Sequence, residues 1–182
     1  DGIVAAGGYW SARISFLLGN AKEANSFLKK AATRERTFYG SLAMASLGYK
    51  YEPNFKLPEY DENLINKITI HKGGLRALAL IEVNEYHKAA REFRKIIPKF
   101  DIQDYPQLLS FTSENNMPGL TFRLAAILRN DHNKILLGGL YPIPSWEINS
   151  IDLKDKALLY AIARQESGFN PRAKSSSKAM GI

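Results

Sequence analysis

The sequence predicts an all-α fold built from stacked helical hairpins. Along the 182-residue chain, apolar residues recur at spacings of three and four, which is typical of amphipathic helices. Glycine, asparagine or proline interrupts these runs where a helix would end or begin. No stretch alternates apolar and polar residues cleanly over the length of a strand. Neighbouring hairpins of this kind are expected to share one core.

The first predicted hairpin covers the segment YWSARISFLLGNAKEANSFLKKAA. Gly19 is suited to the left-handed conformation that ends a helix, and Asn20 is suited to cap the next one. So short a turn predicts two antiparallel helices. The apolar face of the first helix consists of Trp10, Ile14, Leu17 and Leu18.

The middle of the chain continues the helical pattern. The segment TFYGSLAMASLG predicts a third helix that ends at Gly48, and YKYEPNFKLPEYD, with its two prolines, predicts a connection. ENLINKITIHKGG predicts a helix closed by Gly73-Gly74. A second hairpin, LRALALIEVNEYHKAAREFRKII, is expected to turn at Asn84 and to end at Pro98.

The last third predicts two further helices, an irregular stretch and a final helix. DIQDYPQLLSFTSENN and PGLTFRLAAILRND are the two helices, and Pro118 stands at the start of the second, where a missing N–H costs nothing. HNKILLGGLYPIPSWEINSIDL contains two glycines, two prolines and a tryptophan, which indicates a domain boundary. The final helix is expected over about 155–167.

The composition is that of a globular protein with a basic surface. The net charge of +7 favours anionic partners such as nucleic acid, acidic lipid or acidic polysaccharide, although the spread of Lys and Arg also fits a solvated surface. Without cysteine the chain has no disulfide or thiolate metal site. No apolar run reaches the ~20 residues of a transmembrane helix. Because it starts at Asp1 and stops at Met180-Gly181-Ile182, the sequence is interpreted as a fragment or processed chain.

Several kinds of active site find no support in the motifs. His71, His87 and His132 do not form a metal-ligand pattern, so neither a metal nor another cofactor is expected. There is no phosphate-binding glycine motif, and no serine stands in a nucleophile-elbow context. Nucleic-acid-binding motifs are also missing, so nucleic acid is not the expected partner.

One carboxylate, Glu166, stands out on the final helix. Leu158, Ile162 and Glu166 follow one another at i+4, so Glu166 is expected on the apolar, buried face. Burial and the negative end of the helix dipole both favour the protonated form, which a general acid requires. Gly168 is expected to end the helix and Asn170-Pro171 to turn the chain, leaving Glu166 at the lip of a cleft.

A structural role for Glu166 is the simple alternative. The carboxylate could pair with Arg164, with Arg172 or with a backbone N–H as an ordinary anchor. A lone acid at a helix end does not decide between the two roles.

The segment YAIARQESGFNPRAKSSSKAMGI closely resembles the opening of the catalytic domain of soluble lytic murein transglycosylases. More weakly, the first hairpins resemble the end of that family's α-superhelix, and RALALIEVNEYHKAAREFRKII resembles its helical linker. The resemblance implies a superhelix end over 1–60, a linker domain over 61–148 and the start of a lysozyme-like domain over 149–182. The matching positions are Glu166-Ser167, Phe169, Asn170-Pro171, Ala173, Ser175 and Ala179-Met180-Gly181.

Two departures from the family pattern are visible. Lys178 stands where the family usually has glycine, and a side chain there would be strained if that position takes a positive φ. The chain also ends at Ile182, where the family's Leu-Met-Gln segment would begin. The resemblance therefore implies an incomplete catalytic domain in this chain.

The resemblance implies cleavage of the β-1,4 bond between N-acetylmuramic acid and N-acetylglucosamine in peptidoglycan. No water is consumed, and the 6-hydroxyl of the muramic acid closes a 1,6-anhydro ring. Glu166 would act first as acid and then as base, while Ser167, Met180 and Gly181 would contact the substrate. The implied partner is a peptidoglycan glycan strand, the implied location is the periplasm, and a monomer is favoured.

Two other functions compete with this one. A non-catalytic α-hairpin scaffold could bind peptidoglycan or a protein partner, and a helical repeat could bind nucleic acid through its charge. The Glu-Ser-x-Phe-Asn-Pro motif distinguishes the enzyme from both, because neither alternative requires it.

Overall fold

Helices form the regular structure of this protein, as the sequence predicts. The structure is a computed structural model that describes residues 1–146, 148, 152–170 and 172–174. Within these ranges no β-strand is found, which confirms the all-α class. The α-helices are α1 Gly2–Leu17, α2 Ala21–Ala32, α3 Phe38–Ser46, α4 Glu62–Thr69, α5 Lys72–Glu82, α6 Tyr86–Ile96, α7 Tyr105–Glu114, α8 Pro118–His132, α9 Leu137–Leu140 and α10 Leu153–Ser167, with 3-10 helices at Ile97–Lys99 and Ile102–Asp104.

The chain divides into two units, Asp1–Pro53 and Asn54–Ile182. The first unit contains α1 to α3, and the second contains α4 to α10. The three-part division at residues 60 and 148 remains a prediction. None of the helices in the described ranges is both long enough and apolar enough to cross a bilayer.

Small residues bring the helices of the first unit together. The Ser15 hydroxyl donates to the Glu23 carboxylate at 3.2 Å, and Gly8 lies against Ala31, so α1 and α2 run antiparallel. A Cβ on Gly8 would lie 3.1 Å from the Cβ of Ala31, so a side chain there would require one of the two helices to shift slightly. The turn passes through Gly19 at φ +79°, as predicted. The buried alanines of this unit are Ala5, Ala12, Ala24, Ala31 and Ala43.

The apolar face of α1 that the sequence spacing predicts is not the face that packs against α2. Trp10, Ile14 and Leu17 are all exposed. The helix carries apolar residues around most of its circumference, and its Ala and Gly side allows the closest approach to α2. The spacing of large apolar residues therefore predicts the helix correctly, but it does not predict which face of the helix is buried.

The prediction that Gly73-Gly74 ends a helix is wrong. Helix α4 ends at Thr69, and both glycines lie in the first turn of α5. A Cβ on Gly74 would lie only 1.9 Å from the carbonyl oxygen of Ile68. Glycine is needed here because the backbones of two successive helices meet.

The core of the second unit holds α8 in place, and α8 in turn contacts the end of α10. The rings of Phe93 and Phe111 lie 5.4 Å apart, and the buried hydroxyls of Thr112 and Thr121 form a 2.9 Å hydrogen bond between α7 and α8. Asn84 turns the α5–α6 hairpin at φ +58°, as predicted. Fully buried aliphatic side chains complete this core: Leu64, Ile68, Leu108, Leu109, Leu120, Leu124, Leu128 and Leu140.

Candidate active site

Helix α10 has a defined start and a defined end. At its start the Asp152 carboxylate accepts hydrogen bonds from the N–H groups of Lys154 and Asp155 at 2.7 and 2.9 Å. At its end Gly168 adopts φ +56° and ψ +38°, and its N–H donates to the Arg164 carbonyl at 3.1 Å. These contacts confirm that Gly168 ends the helix after Ser167.

The residues after Gly168 continue the turn. Phe169 also has a positive φ, +61°, and is buried, while its N–H donates to the Ala163 carbonyl at 3.2 Å. An aromatic residue in the left-handed region is strained, so its surroundings must hold it there. The side chain of Asn170 accepts from the N–H of Arg172 at 3.1 Å. Pro171 lies outside the described residues.

Glu166 is exposed, so the prediction that it lies on a buried face is wrong for this structure. The other two residues of that face, Leu158 and Ile162, are 60% and 46% exposed. The buried side of α10 is the opposite one, where Ala163 is 1% exposed. The burial on which the argument for a general acid relied is therefore not found at Glu166.

The anchoring role considered for Glu166 is not found either. No residue in the described ranges forms an ion pair or hydrogen bond with its carboxylate. Neither Arg164 nor Arg172 forms an ion pair with it, and Arg164 instead contacts the rings of Phe122 and Tyr141 and the Leu140 carbonyl. Within the described part of the chain, the Glu166 carboxylate is therefore exposed to solvent and unpaired.

Arg164 lies between two aromatic rings. Its guanidinium carbon is 4.8 Å from the ring centroid of Phe122 and 4.6 Å from that of Tyr141. Its Nε donates to the Leu140 carbonyl at 2.7 Å, at the C-terminal end of α9. Each cation–π contact stabilises by about 0.5–2 kcal/mol, depending on how much water is excluded.

A second aromatic cluster holds the loop after α10. The ring of Trp146 lies 5.7 Å from that of Tyr160 and 6.2 Å from that of Phe169, both edge to face. On the other side, a Cβ on Gly119 in α8 would lie 3.0 Å from the carbonyl oxygen of Gly168. The absence of a side chain at Gly119 lets the start of α8 approach the end of α10.

The other predicted site residues are only partly described. The Ser167 hydroxyl donates to the Ala163 carbonyl at 2.9 Å, so in this structure it bonds to its own helix. Met180 and Gly181 lie outside the described residues, as do Ser175, Lys178 and Ala179. The proposed substrate contacts of Ser167, Met180 and Gly181 remain predictions.

A cleft of about 880 Å³ lies beside the end of α10. Its walls come from α6 as far as Arg94, from α8 as far as Ala126, from the residues just before each of these helices, and from Trp146 and residues 167–170. Glu166 does not line it, although the next four residues do. The cleft therefore adjoins the acid without containing it.

Positive charge dominates this cleft. Arg94 and Arg123 line it, and burial together with the neighbouring charges of Arg123 and Arg91 lowers the pKa of Arg94. The acid in its lining, Glu85, is already paired with Lys88 at 2.8 Å. An anionic ligand would be attracted to such a cleft.

His87 lies in the same cleft, and its surroundings disfavour the protonated imidazolium. Burial, followed by the charges of Arg172, Arg94 and Arg91, lowers its pKa. Its buried Nε2 has no hydrogen-bond partner among the described residues. The nitrogen is therefore available to a ligand or a water molecule within the cleft.

We expect acid to destabilise the second unit through His87. Below about pH 6.5 an unfolded imidazole binds a proton that the folded one resists, so the free energy of unfolding falls with decreasing pH. Urea unfolding of the wild type and of His87→Met, compared between about pH 7 and about pH 5, measures this term. The wild type should lose more stability than the variant. Equal losses would show that another group controls this pH range.

Sequence reasoning missed this basic cleft, although the signal was present. His87, Arg91 and Arg94 stand at i, i+4 and i+7 in α6, which places them on one face of the helix. Within the described ranges, no three His, Asp or Glu side chains lie close enough together to hold a metal ion.

The end of α10 and the loop after it form a recognisable unit of sequence. Residues 148–182 match the family model of the transglycosylase SLT domain. This confirms the resemblance deduced from the Glu-Ser-Gly-Phe-Asn-Pro motif. The SLT segment, as we call residues 148–182, contains Glu166 and the helix end that presents it. No curated protein matches the chain.

Proposed function

We propose that this protein takes part in the lytic transglycosylase reaction on peptidoglycan, with Glu166 as the catalytic acid and base. The observation that carries the proposal is the match of the SLT segment together with the exposed carboxylate at its helix end, which has no partner among the described residues. The reaction would cut the bond between N-acetylmuramic acid and N-acetylglucosamine and leave a 1,6-anhydro end. Such cleavage serves cell-wall turnover, and the proposed location is the periplasm.

The proposed chemistry needs only one carboxyl group. Glu166 donates its proton to the glycosidic oxygen as the bond from that oxygen to C1 breaks, and the acetamido carbonyl oxygen of the muramic acid stabilises the positive C1. The resulting carboxylate then removes the proton of the 6-hydroxyl while that oxygen bonds to C1. Every proton is accounted for, and the acid is regenerated without water.

The arrangement of acids in α10 supports this single-carboxylate chemistry. Hydrolytic glycosidases commonly place two carboxyl groups about 5–10 Å apart. In the described part of the SLT segment, the acid nearest to Glu166 along the helix is Asp155, and eleven residues of helix span about 16 Å. That distance is too long for Asp155 to act as the second carboxyl group of a paired mechanism.

The basic cleft supports an anionic substrate. Peptidoglycan carries carboxylates on the peptides attached to its muramic acid residues. Arg94 and Arg123 would attract such groups to the cleft that adjoins residues 167–170. A glycan that extends from the cleft across the end of α10 would also exclude water from Glu166, which strengthens the hydrogen bond from the carboxyl to the glycosidic oxygen.

One observation favours the alternative of a non-catalytic scaffold. Glu166 does not line the cleft, so the cleft could bind peptidoglycan while the acid takes no part. Product analysis separates the two functions.

Digestion of purified peptidoglycan by the full-length protein, followed by borohydride treatment, tests the proposal. A 1,6-anhydro end has no free hemiacetal, so we expect soluble muropeptides that borohydride leaves unchanged. Products with reduced muramic ends would show hydrolysis instead. Retention of the protein on the wall without soluble products would support the scaffold.

A further inference from the structure

We propose that Arg164 is a positioning residue that sets the direction in which the Glu166 carboxylate points. The inference rests on the proposed function for its effect on activity, but its geometric basis is independent of that function. The guanidinium prevents the last turns of α10 from rotating about the helix axis relative to α8 and α9.

Three contacts hold the Arg164 side chain. Phe122 of α8 covers one face of the guanidinium at 4.8 Å, and Tyr141, just after α9, is 4.6 Å away. The Nε–H donates to the Leu140 carbonyl at 2.7 Å, at the end of α9 where the helix dipole is negative. A planar cation between two rings, with one edge hydrogen-bonded, leaves the helix little freedom to rotate or slide.

Helix geometry relates this restraint to Glu166. Two residues along an α-helix correspond to a rotation of about 200° and a rise of about 3 Å, so positions 164 and 166 lie on opposite sides of the same turn. Arg164 faces the packed side, and Glu166 faces solvent. A rotation of α10 about its axis would therefore swing the carboxylate away from its present direction.

The ring of Phe122 connects Arg164 to the helix end. A Cβ on Gly168 would lie 3.3 Å from Cδ1 of Phe122, so the ring that stacks on Arg164 also contacts the residue that ends α10. The Gly168 N–H donates to the carbonyl of Arg164 itself at 3.1 Å. Loss of the guanidinium should therefore loosen the capping turn as well as the helix.

The contacts also predict how replacements rank. Lysine keeps the charge and can remain near the rings, but it lacks the planar face and the Nε donor. Methionine keeps much of the length and apolar contact but has neither charge nor donor. We expect kcat to be highest in the wild type, intermediate in Arg164→Lys and lowest in Arg164→Met.

The test compares these variants in the full-length protein on soluble glycan chains prepared from peptidoglycan. Arg164→Met should lower kcat about 10- to 100-fold while KM stays within about twofold, because misplacement of a catalytic group by about 1 Å affects turnover more than binding. Arg164→Lys should recover part of the loss. The matched control is Gln165→Met, at the exposed position between Arg164 and Glu166, and it should retain wild-type kcat.

A second measurement does not depend on activity. Hydrogen exchange at the amides of Gly168 and Phe169, whose acceptors are the carbonyls of Arg164 and Ala163, should be faster in Arg164→Met than in the wild type and in Gln165→Met. Unchanged exchange would overturn the positioning role whatever the protein catalyses. Faster exchange with a full kcat would also overturn it, since Glu166 would then not depend on Arg164. If Glu166→Gln is fully active, the proposed function fails, while the exchange result still decides whether Arg164 holds the helix end.

Discussion

Replacement of Glu166 by glutamine should reduce the release of muropeptides by about 10²- to 10⁴-fold, the usual contribution of general acid–base catalysis. Glutamine has nearly the shape of glutamate but cannot donate and recover a proton in the same way. Since the Glu166 side chain is exposed and has no partner among the described residues, the substitution should leave the fold intact. The initial rate of muropeptide release from purified peptidoglycan by the full-length protein measures the effect.

Asp155→Asn is the matched control for that experiment. Asp155 is an exposed acid in the first turn of the same helix, where its removal costs only the small stabilisation of a helix dipole, about 0.3–1 kcal/mol. Its rate should stay close to that of the wild type. A Glu166→Gln protein that works as fast as Asp155→Asn would contradict the assignment of Glu166 as the acid.

Phe93→Ala should destabilise the second unit by about 3–5 kcal/mol. Phe93 is 0% exposed, and its ring lies 5.4 Å from that of Phe111, so truncation would leave a cavity between α6 and α7. Urea unfolding in a Trp10→Phe background, where Trp146 of the same unit is the remaining tryptophan, measures the loss by fluorescence. The same core supports α8, so the contacts of α8 with the end of α10 should weaken too.

Phe55→Ala is the corresponding control. Phe55 belongs to the same unit but is 51% exposed. Its truncation should cost much less, because water can fill most of the space that the ring leaves and no buried cavity forms. Equal losses in the two variants would contradict the core described for residues 54–182.

Features that depend on local chemistry were predictable from the sequence. The ends of α10 and of the α5–α6 hairpin follow from residues that tolerate a positive φ, Gly168 and Asn84. Pro118 begins α8 because proline lacks an N–H group, and in the first turn of a helix that group would have no intrahelical acceptor. Each of these predictions needs only a few neighbouring residues, and each is confirmed.

Features that depend on distant packing were not predictable. The position of Gly74 after a helical pattern is typical of a helix end. In the structure, Gly74 instead lets the backbone of α5 lie against the carbonyl of Ile68 at the end of α4. The face of α10 with Leu158 and Ile162 is apolar and yet exposed, because the helix packs through its other side. Arg164 stands only two residues before Glu166, but its contacts with Phe122 and Tyr141 require the folded arrangement of α8 and α9.

The central claim is that Glu166 serves a cleavage that consumes no water, and digestion of peptidoglycan by the full-length protein in ¹⁸O-labelled water tests it most directly. Mass spectrometry of the products should show 1,6-anhydro muropeptides without ¹⁸O, formed by the wild type and lost in Glu166→Gln. Incorporation of ¹⁸O at C1 of the muramic acid would contradict the account, because it would show that water, and not the 6-hydroxyl, attacks.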